Sequence, residues 1–353
     1  MCFVKDTLNG DNMIIAVDGM GGDNAPVEIV KGAVAASEQI PHRICILGPE
    51  EIIEEELKKY SYDKEKIFVR NTTQIIDNCD SPVRAVRSKK DSSMVAGINM
   101  LKSNDAQLFI SAGNTGALMA GSLIILDRIS GIERPAIASS YPILKAKGSK
   151  ISLMVDSGAN SECKARNLLE FAIMGSIYME KVIGIDNPKV GLVNIGEEEI
   201  KGTATIKEAY GLLKESGLNF VGNVEAREIP KGAVDVIVCD GFVGNVILKL
   251  TEGFAGQITR LLKDKLTDGV LAKIGAAFLY GKMKDMKKLF DYSEYGGAPI
   301  LGVRGAVVKT HGSANANAVK NTIIKGIAYA ENNVVELIEE SAVNLEETVG
   351  SID

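Results

Sequence analysis

The chain has 353 residues, 46% of them hydrophobic, enough to bury a large core in one big α/β unit or two closely packed lobes. Its 40 basic against 46 acidic residues leave a net charge of −6, which offers no general attraction to a polyanion and argues against nucleic acid as a partner. Aromatics reach only 5% with no Trp while Gly reaches 36, so the core must rest on Val, Ile, Leu and Ala, as buried parallel strands do.

Residues 1–12 include acidic side chains and no long apolar run; they do not read as a signal peptide and are expected to form a disordered leader, with the protein staying in the cytoplasm. Short β-branched runs come next at Met13–Val17, Ile44–Leu47, Gln107–Ile110, Ile151–Val155, Lys189–Val193, Asp235–Cys239 and Ala306–Lys309, separated by helical stretches. This alternation predicts right-handed βαβ crossovers and an α/β fold with a mostly parallel, doubly wound sheet, as a single domain over residues 13–353. The uncharged stretch from Ala106 to Leu126 is interrupted by Ser111, Gly113, Asn114, Thr115 and Gly116, whose backbone would go unsatisfied in lipid, so it reads as strand, loop and helix.

From Gly244 to Tyr295 the pattern changes to a helical hairpin, broken near Thr267–Gly269. Its tip is apolar (Val270, Leu271, Ile274, Phe278, Leu279), with Lys282, Lys284, Lys287 and Lys288 behind it. Two uses fit, packing in a dimer or core and contact with a membrane surface, and the two are compatible.

Six strands each run into a loop that combines Gly with Asp, Asn, Ser or His, and in an open parallel sheet such loops share one edge and line one cleft. The first carries Asp18, Asp23 and Asn24; Asn24 also suits a helix N-cap, with Pro26 at an early helical position. The second, Ser111 to Gly116, is the best anion cradle, with Ser111, Gly113, Asn114 and Thr115 as phosphate ligands: its glycines let backbone approach a ligand, and free N–H groups open the next helix. Asp156 and Asn160 follow the third strand, Asn194 the fourth, Asp240 and Asn245 the fifth, and His311 and Ser313 the sixth. Each loop taken alone is also an ordinary turn.

His311 suits phosphate binding or proton transfer, or a structural hydrogen bond, whereas His42 reads as structural. Lys201 is a second cation expected to face the cleft, held by Glu197, Glu198 and Glu199, unless it is a solvated surface lysine. The basic run Arg84, Arg87, Lys89 and Lys90 is by default a solvated helix face and otherwise suits an acidic partner or the cleft.

Other chemistries find less support. The five Cys residues have no metal or redox spacing, and Cys163 has no His beside it to activate a thiol. The dinucleotide fingerprint fails because its third glycine would fall at Asn24. No cofactor and no metal are expected.

The segments AVDGMGGDNAP (16–26), SKKDSSM (88–94), SAGNTGALM (111–119), NIGEEEIKG (194–202), CDGFVGNV (239–246), DYSEYGGAPILG (291–302) and KTHGSANA (309–316) together resemble the PlsX family, the phosphate acyltransferases of bacterial phospholipid synthesis. The likeness runs in order from Met13 to Glu336; Ser157 is a small departure, and residues 1–12 lie outside it. The resemblance implies a fold akin to phosphotransacetylases and the isocitrate dehydrogenase group, a homodimer, peripheral attachment to the inner face of the membrane, and acyl carrier protein with inorganic phosphate as partners. Among the cleft residues themselves, Lys201, Asn245 and His311 are the expected catalytic groups. Two rivals remain: a phosphotransacetylase-like enzyme using acyl-CoA, and a non-catalytic membrane-docked scaffold.

Overall fold

The computed structural model describes residues 13–144, 151–269, 275–276, 278–279, 281–283 and 292–349, the stretch 344–349 as backbone. Residues 1–12, expected to be a leader, lie outside the described residues, as do Val270, Leu271 and Ile274 of the expected hairpin tip. In chain order the strands are β1 (Ile14–Asp18), β2 (Arg43–Gly48), β3 (Ile67–Asn71), β4 (Leu108–Ser111), β5 (Ala136–Pro142), β6 (Ile151–Val155), β7 (Val190–Asn194), β8 (Phe220–Glu225), β9 (Val236–Val238), β10 (Ala298–Leu301) and β11 (Ala306–Lys309). The α-helices are α1 (Val27–Ser37), α2 (Glu50–Leu57), α3 (Pro82–Ser88), α4 (Ser93–Lys102), α5 (Thr115–Gly121), α6 (Ala165–Lys181), α7 (Ala204–Glu215), α8 (Gly241–Leu266), α9 (Ala316–Glu331) and α10 (Val334–Val349).

The chain forms two compact units, Met1–Pro135 with Tyr295–Asp353, and Ala136–Glu294. In the first, the strand order is β3-β2-β1-β4-β11-β10, parallel throughout except for β10 against β11. β1 and β4 are almost wholly buried, as expected of parallel strands covered on both faces. Val17 pairs with Ile110, and Ser111 with Lys309, so this register ends three strands side by side at Asp18, Ser111 and Lys309. The loops after them therefore begin at one level.

In the second unit, β5-β6-β9-β7-β8 form the sheet, parallel except for β5 against β6. α6, which buries Leu168, Leu169, Phe171, Ala172 and Met174, connects β6 to β7, and α7 connects β7 to β8. α8 is a long helix whose first turn is capped by Asp240, whose side chain accepts the Val243 N–H at 2.7 Å. It ends at Leu266, where the sequence predicts the break in the helical stretch.

Candidate active site

In the first unit three strand ends meet. The Asp23 N–H donates to the Gly312 carbonyl at 2.8 Å, and the Asn24 amide donates to the carbonyls of Ser313 (3.2 Å) and Ala314 (3.3 Å). Gly22 sits at φ +99°, and a Cβ there would come within 2.8 Å of the Gly312 carbonyl oxygen and 2.9 Å of the Ala112 Cβ. Only glycine allows both that backbone angle and that approach. The N-cap expected of Asn24 is not found: Pro26 occupies that position, while the Asn24 carbonyl accepts from Glu28 and its side chain is spent across the loops.

Asp18 and Ser111 lie beneath this junction, both buried. Ser111 donates its hydroxyl to Asp18 at 2.7 Å and accepts the Gly113 N–H at 3.0 Å. Burial pushes the Asp18 carboxyl above its ordinary value, against hydrogen bonds from Ser93, Ser111, Met20 and Gly21 that lower it. Asn114 caps α5 by accepting the Ala117 N–H at 3.0 Å and donates to the carbonyls of Asp77 (3.3 Å) and Asn78 (3.2 Å). The Ser111 and Asn114 side chains thus build the loop, and its outward groups are the exposed Thr115 and Gly116, whose N–H groups meet no acceptor among the described residues.

His311 is exposed, and its Nδ1 accepts the Ser313 N–H at 3.2 Å and lies 2.8 Å from the Ser313 hydroxyl. With Nδ1 accepting, the ring proton sits on Nε2, the tautomer that can donate to an oxyanion. Lys309 is the residue that sequence reading missed. It looks like the last residue of a strand, yet its ammonium turns back to the carbonyls of Ala112 (3.1 Å) and Thr310 and brings a cation to the junction.

In the second unit the buried Asp156 organises the loop after β6. Its carboxylate accepts backbone N–H groups of Ile137 (3.1 Å), Gly158 (3.1 Å), Ala159 (3.1 Å) and Asn160 (2.7 Å), together with the Asn160 side-chain amide at 3.0 Å. The Gly241 N–H donates to the Asn160 carbonyl at 2.7 Å, so the loops after β6 and β9 are joined. Ser157 is buried here too, donating to the Ile137 carbonyl at 3.0 Å. Asn245, in the second turn of α8, is exposed and flanks Gly158; its amide makes no hydrogen bond among the described residues. Cys239 lies below, its thiol pushed well up by burial and then by the carboxylates of Asp156 and Asp240, which argues against thiolate chemistry there.

Asn194 spends its side chain locally, donating to the Lys201 carbonyl at 3.1 Å and accepting the Ile195 N–H at 2.8 Å. Lys201 is exposed, and the expectation that neighbouring acids hold it fails: Glu199 pairs with Lys214 at 3.4 Å, and the Lys201 ammonium makes no ion pair among the described residues. Asp23 is exposed and accepts from the Asn78 amide at 3.3 Å. Phe278 and Leu279, the described part of the predicted hairpin tip, are exposed. Among the described residues no helix is long and apolar enough to cross a membrane.

This fold is that of the phosphotransacetylases. The chain superposes on a phosphotransacetylase from Streptococcus pyogenes with a TM-score of 0.61 at 17% identity, covering 91% of this chain and 95% of the other. It superposes on the EutD phosphotransacetylase from Staphylococcus aureus with a TM-score of 0.60 at 18% identity, covering 92% and 96%. The sequence goes further: residues 13–337 match the family described as "Fatty acid synthesis protein". Over 333 residues the chain is 55% identical to the phosphate acyltransferase of Alkaliphilus oremlandii, covering 94% of this chain and 98% of the relative. The chain therefore belongs to this family of phosphate acyltransferases, the PlsX family.

Proposed function

We propose that the protein transfers a fatty acyl group from acyl carrier protein to inorganic phosphate, giving acyl phosphate and free carrier for phospholipid synthesis. The observation that carries this reading is the junction of three glycine-bearing strand ends in the first unit, with N–H donors at Thr115 and Gly116 that meet no acceptor among the described residues and with His311, whose Nδ1 accepts the Ser313 N–H. These are groups suited to a small oxyanion.

A phosphate oxygen attacks the thioester carbonyl, the carbonyl oxygen becomes an oxyanion, and collapse breaks the carbon–sulfur bond. The leaving thiolate resembles a cysteine with a pKa of about 8.5 and needs little help from an acid. Dianionic phosphate needs no strong base, so positioning and charge stabilisation dominate. Asn245 supplies an amide donor and Lys201 a positive charge. Both side chains are exposed and make no hydrogen bond or ion pair among the described residues, which supports roles outside folding.

The homodimer and peripheral membrane contact belong to the same proposal. Phe242, Val246, Leu250 and Phe254 recur every fourth residue along α8 and are each at least half exposed, an apolar stripe of the kind that a second helix or a lipid surface covers.

Purified protein supplied with phosphate and either acyl carrier protein thioester or acetyl-CoA tests the reading. Preference for the carrier-bound long-chain donor supports it. Preference for acetyl-CoA would make this a phosphotransacetylase.

A further inference from the structure

Residues 82–90 hold four cations and no acid, in a chain of net charge −6. They occupy α3 and the turn after it. Of the carboxylates that flank them, Asp80 takes the Lys89 ammonium at 2.5 Å with Asp77 3.9 Å from it, and Asp91 accepts the N–H and hydroxyl of Thr73 at 2.9 and 2.5 Å. Lys89, expected to share a solvated face, is drawn inward and also donates to the Ile75 carbonyl at 2.7 Å. Arg84, Arg87 and Lys90 are left exposed, and none makes an ion pair or side-chain hydrogen bond among the described residues. Val83, 47% exposed, lies among them.

The patch stands at the rim of the candidate anion loop. A Cβ on Gly116 would come 2.8 Å from the Pro82 Cγ, and the Asn114 amide holds the carbonyls of Asp77 and Asn78 just before the helix. We propose that Arg84, Arg87 and Lys90 are the docking surface for the acidic protein that carries the acyl thioester, with Val83 as its apolar contact. This rests on the acyl transfer proposed above and adds where the donor lands. Uncompensated cations around a reaction site steer an acidic partner and set its orientation. Anionic-lipid sites typically gather about four to eight basic side chains, and three exposed ones fall short.

The test is steady-state acyl phosphate formation by the full chain and by the Arg84→Glu/Arg87→Glu/Lys90→Glu variant, with the acyl thioester of acyl carrier protein or uncharged acyl-pantetheine as donor. The expected result is a rise of about 10- to 100-fold in KM for the carrier-bound donor. The phosphate KM and turnover on acyl-pantetheine should stay within about twofold, and added salt should weaken the carrier reaction of the wild type far more than that of the variant. The milder Arg84→Ala/Arg87→Ala pair should move KM in the same direction by less.

An unchanged carrier KM overturns the proposal, whether or not the variant loses binding to anionic vesicles. So does a selective rise in phosphate KM, which would make the patch a funnel for the small anion, or an equal loss on acyl-pantetheine. A wild type that forms no acyl phosphate from either donor contradicts the acyl transfer reading instead. The patch is then tested by fluorescence anisotropy of labelled carrier, where equal affinity for wild type and variant overturns it.

Discussion

Ser111 donates its hydroxyl to Asp18 at 2.7 Å, tying together the ends of two parallel strands beneath the loop proposed to bind phosphate. Because Asp18 is buried and its carboxyl is pushed up, it is a structural acid whose ionisation costs stability. The folded value lies above the unfolded one, so its contribution is fully present below the ordinary value of 3.8 and is lost as pH rises through the folded value. Urea denaturation of wild type and Asp18→Asn from acid to neutral pH should show this decline in the wild type alone. Parallel curves would remove Asp18 from the account.

Gly22→Ala forces a side chain into a left-handed backbone position with Gly312 and Ala112 already in contact. Strain of about 1–3 kcal/mol is expected in a denaturation curve. Displacement of the anion loop by about an ångström would cost turnover on the order of 100-fold. Wild-type kinetics with phosphate would show that the junction tolerates the change and is not the site.

Much of this arrangement was legible in the sequence, and the reasons for the misses are physical. β1, β2, β4, β6, β7, β9 and β11 announce themselves because strands buried on both faces are continuous apolar runs. β3 and β8 are edge strands with exposed positions, and β5 and β10 are diluted by Ser, Ala and Pro, so their patterns carry less signal. The glycine-bearing strand ends were readable as loops. What they do with their polar atoms was not: Asn24 reaches a partner 289 residues away, Asp18 one 93 residues away, and Lys309 turns inward from a strand end. Such long-range pairings leave no trace in local spacing.

Asp156 and Lys201 should separate folding from chemistry. Asp156→Ala strands the buried N–H of Ile137 and the part-buried N–H groups of Ala159 and Asn160; a buried orphaned donor costs about 1–3 kcal/mol, so a clear loss of stability is expected in thermal or chemical denaturation. Lys201→Ala removes an exposed side chain with no ion pair among the described residues; stability should move by no more than about 0.5 kcal/mol while turnover falls steeply. Near wild-type activity would take Lys201 out of the mechanism.

Asn245→Ala probes the proposed oxyanion donor. A loss of about 100- to 1,000-fold in kcat with an unchanged melting temperature is expected, because the amide is exposed and bonds to nothing among the described residues. A change confined to KM would assign Asn245 to substrate binding only.

The most direct test is release of free carrier thiol from the acyl thioester of acyl carrier protein by the purified chain, measured with and without inorganic phosphate. The account predicts phosphate-dependent release, with one acyl phosphate formed for each thiol freed. Thiol release that proceeds equally without phosphate, or none in its presence, would contradict it.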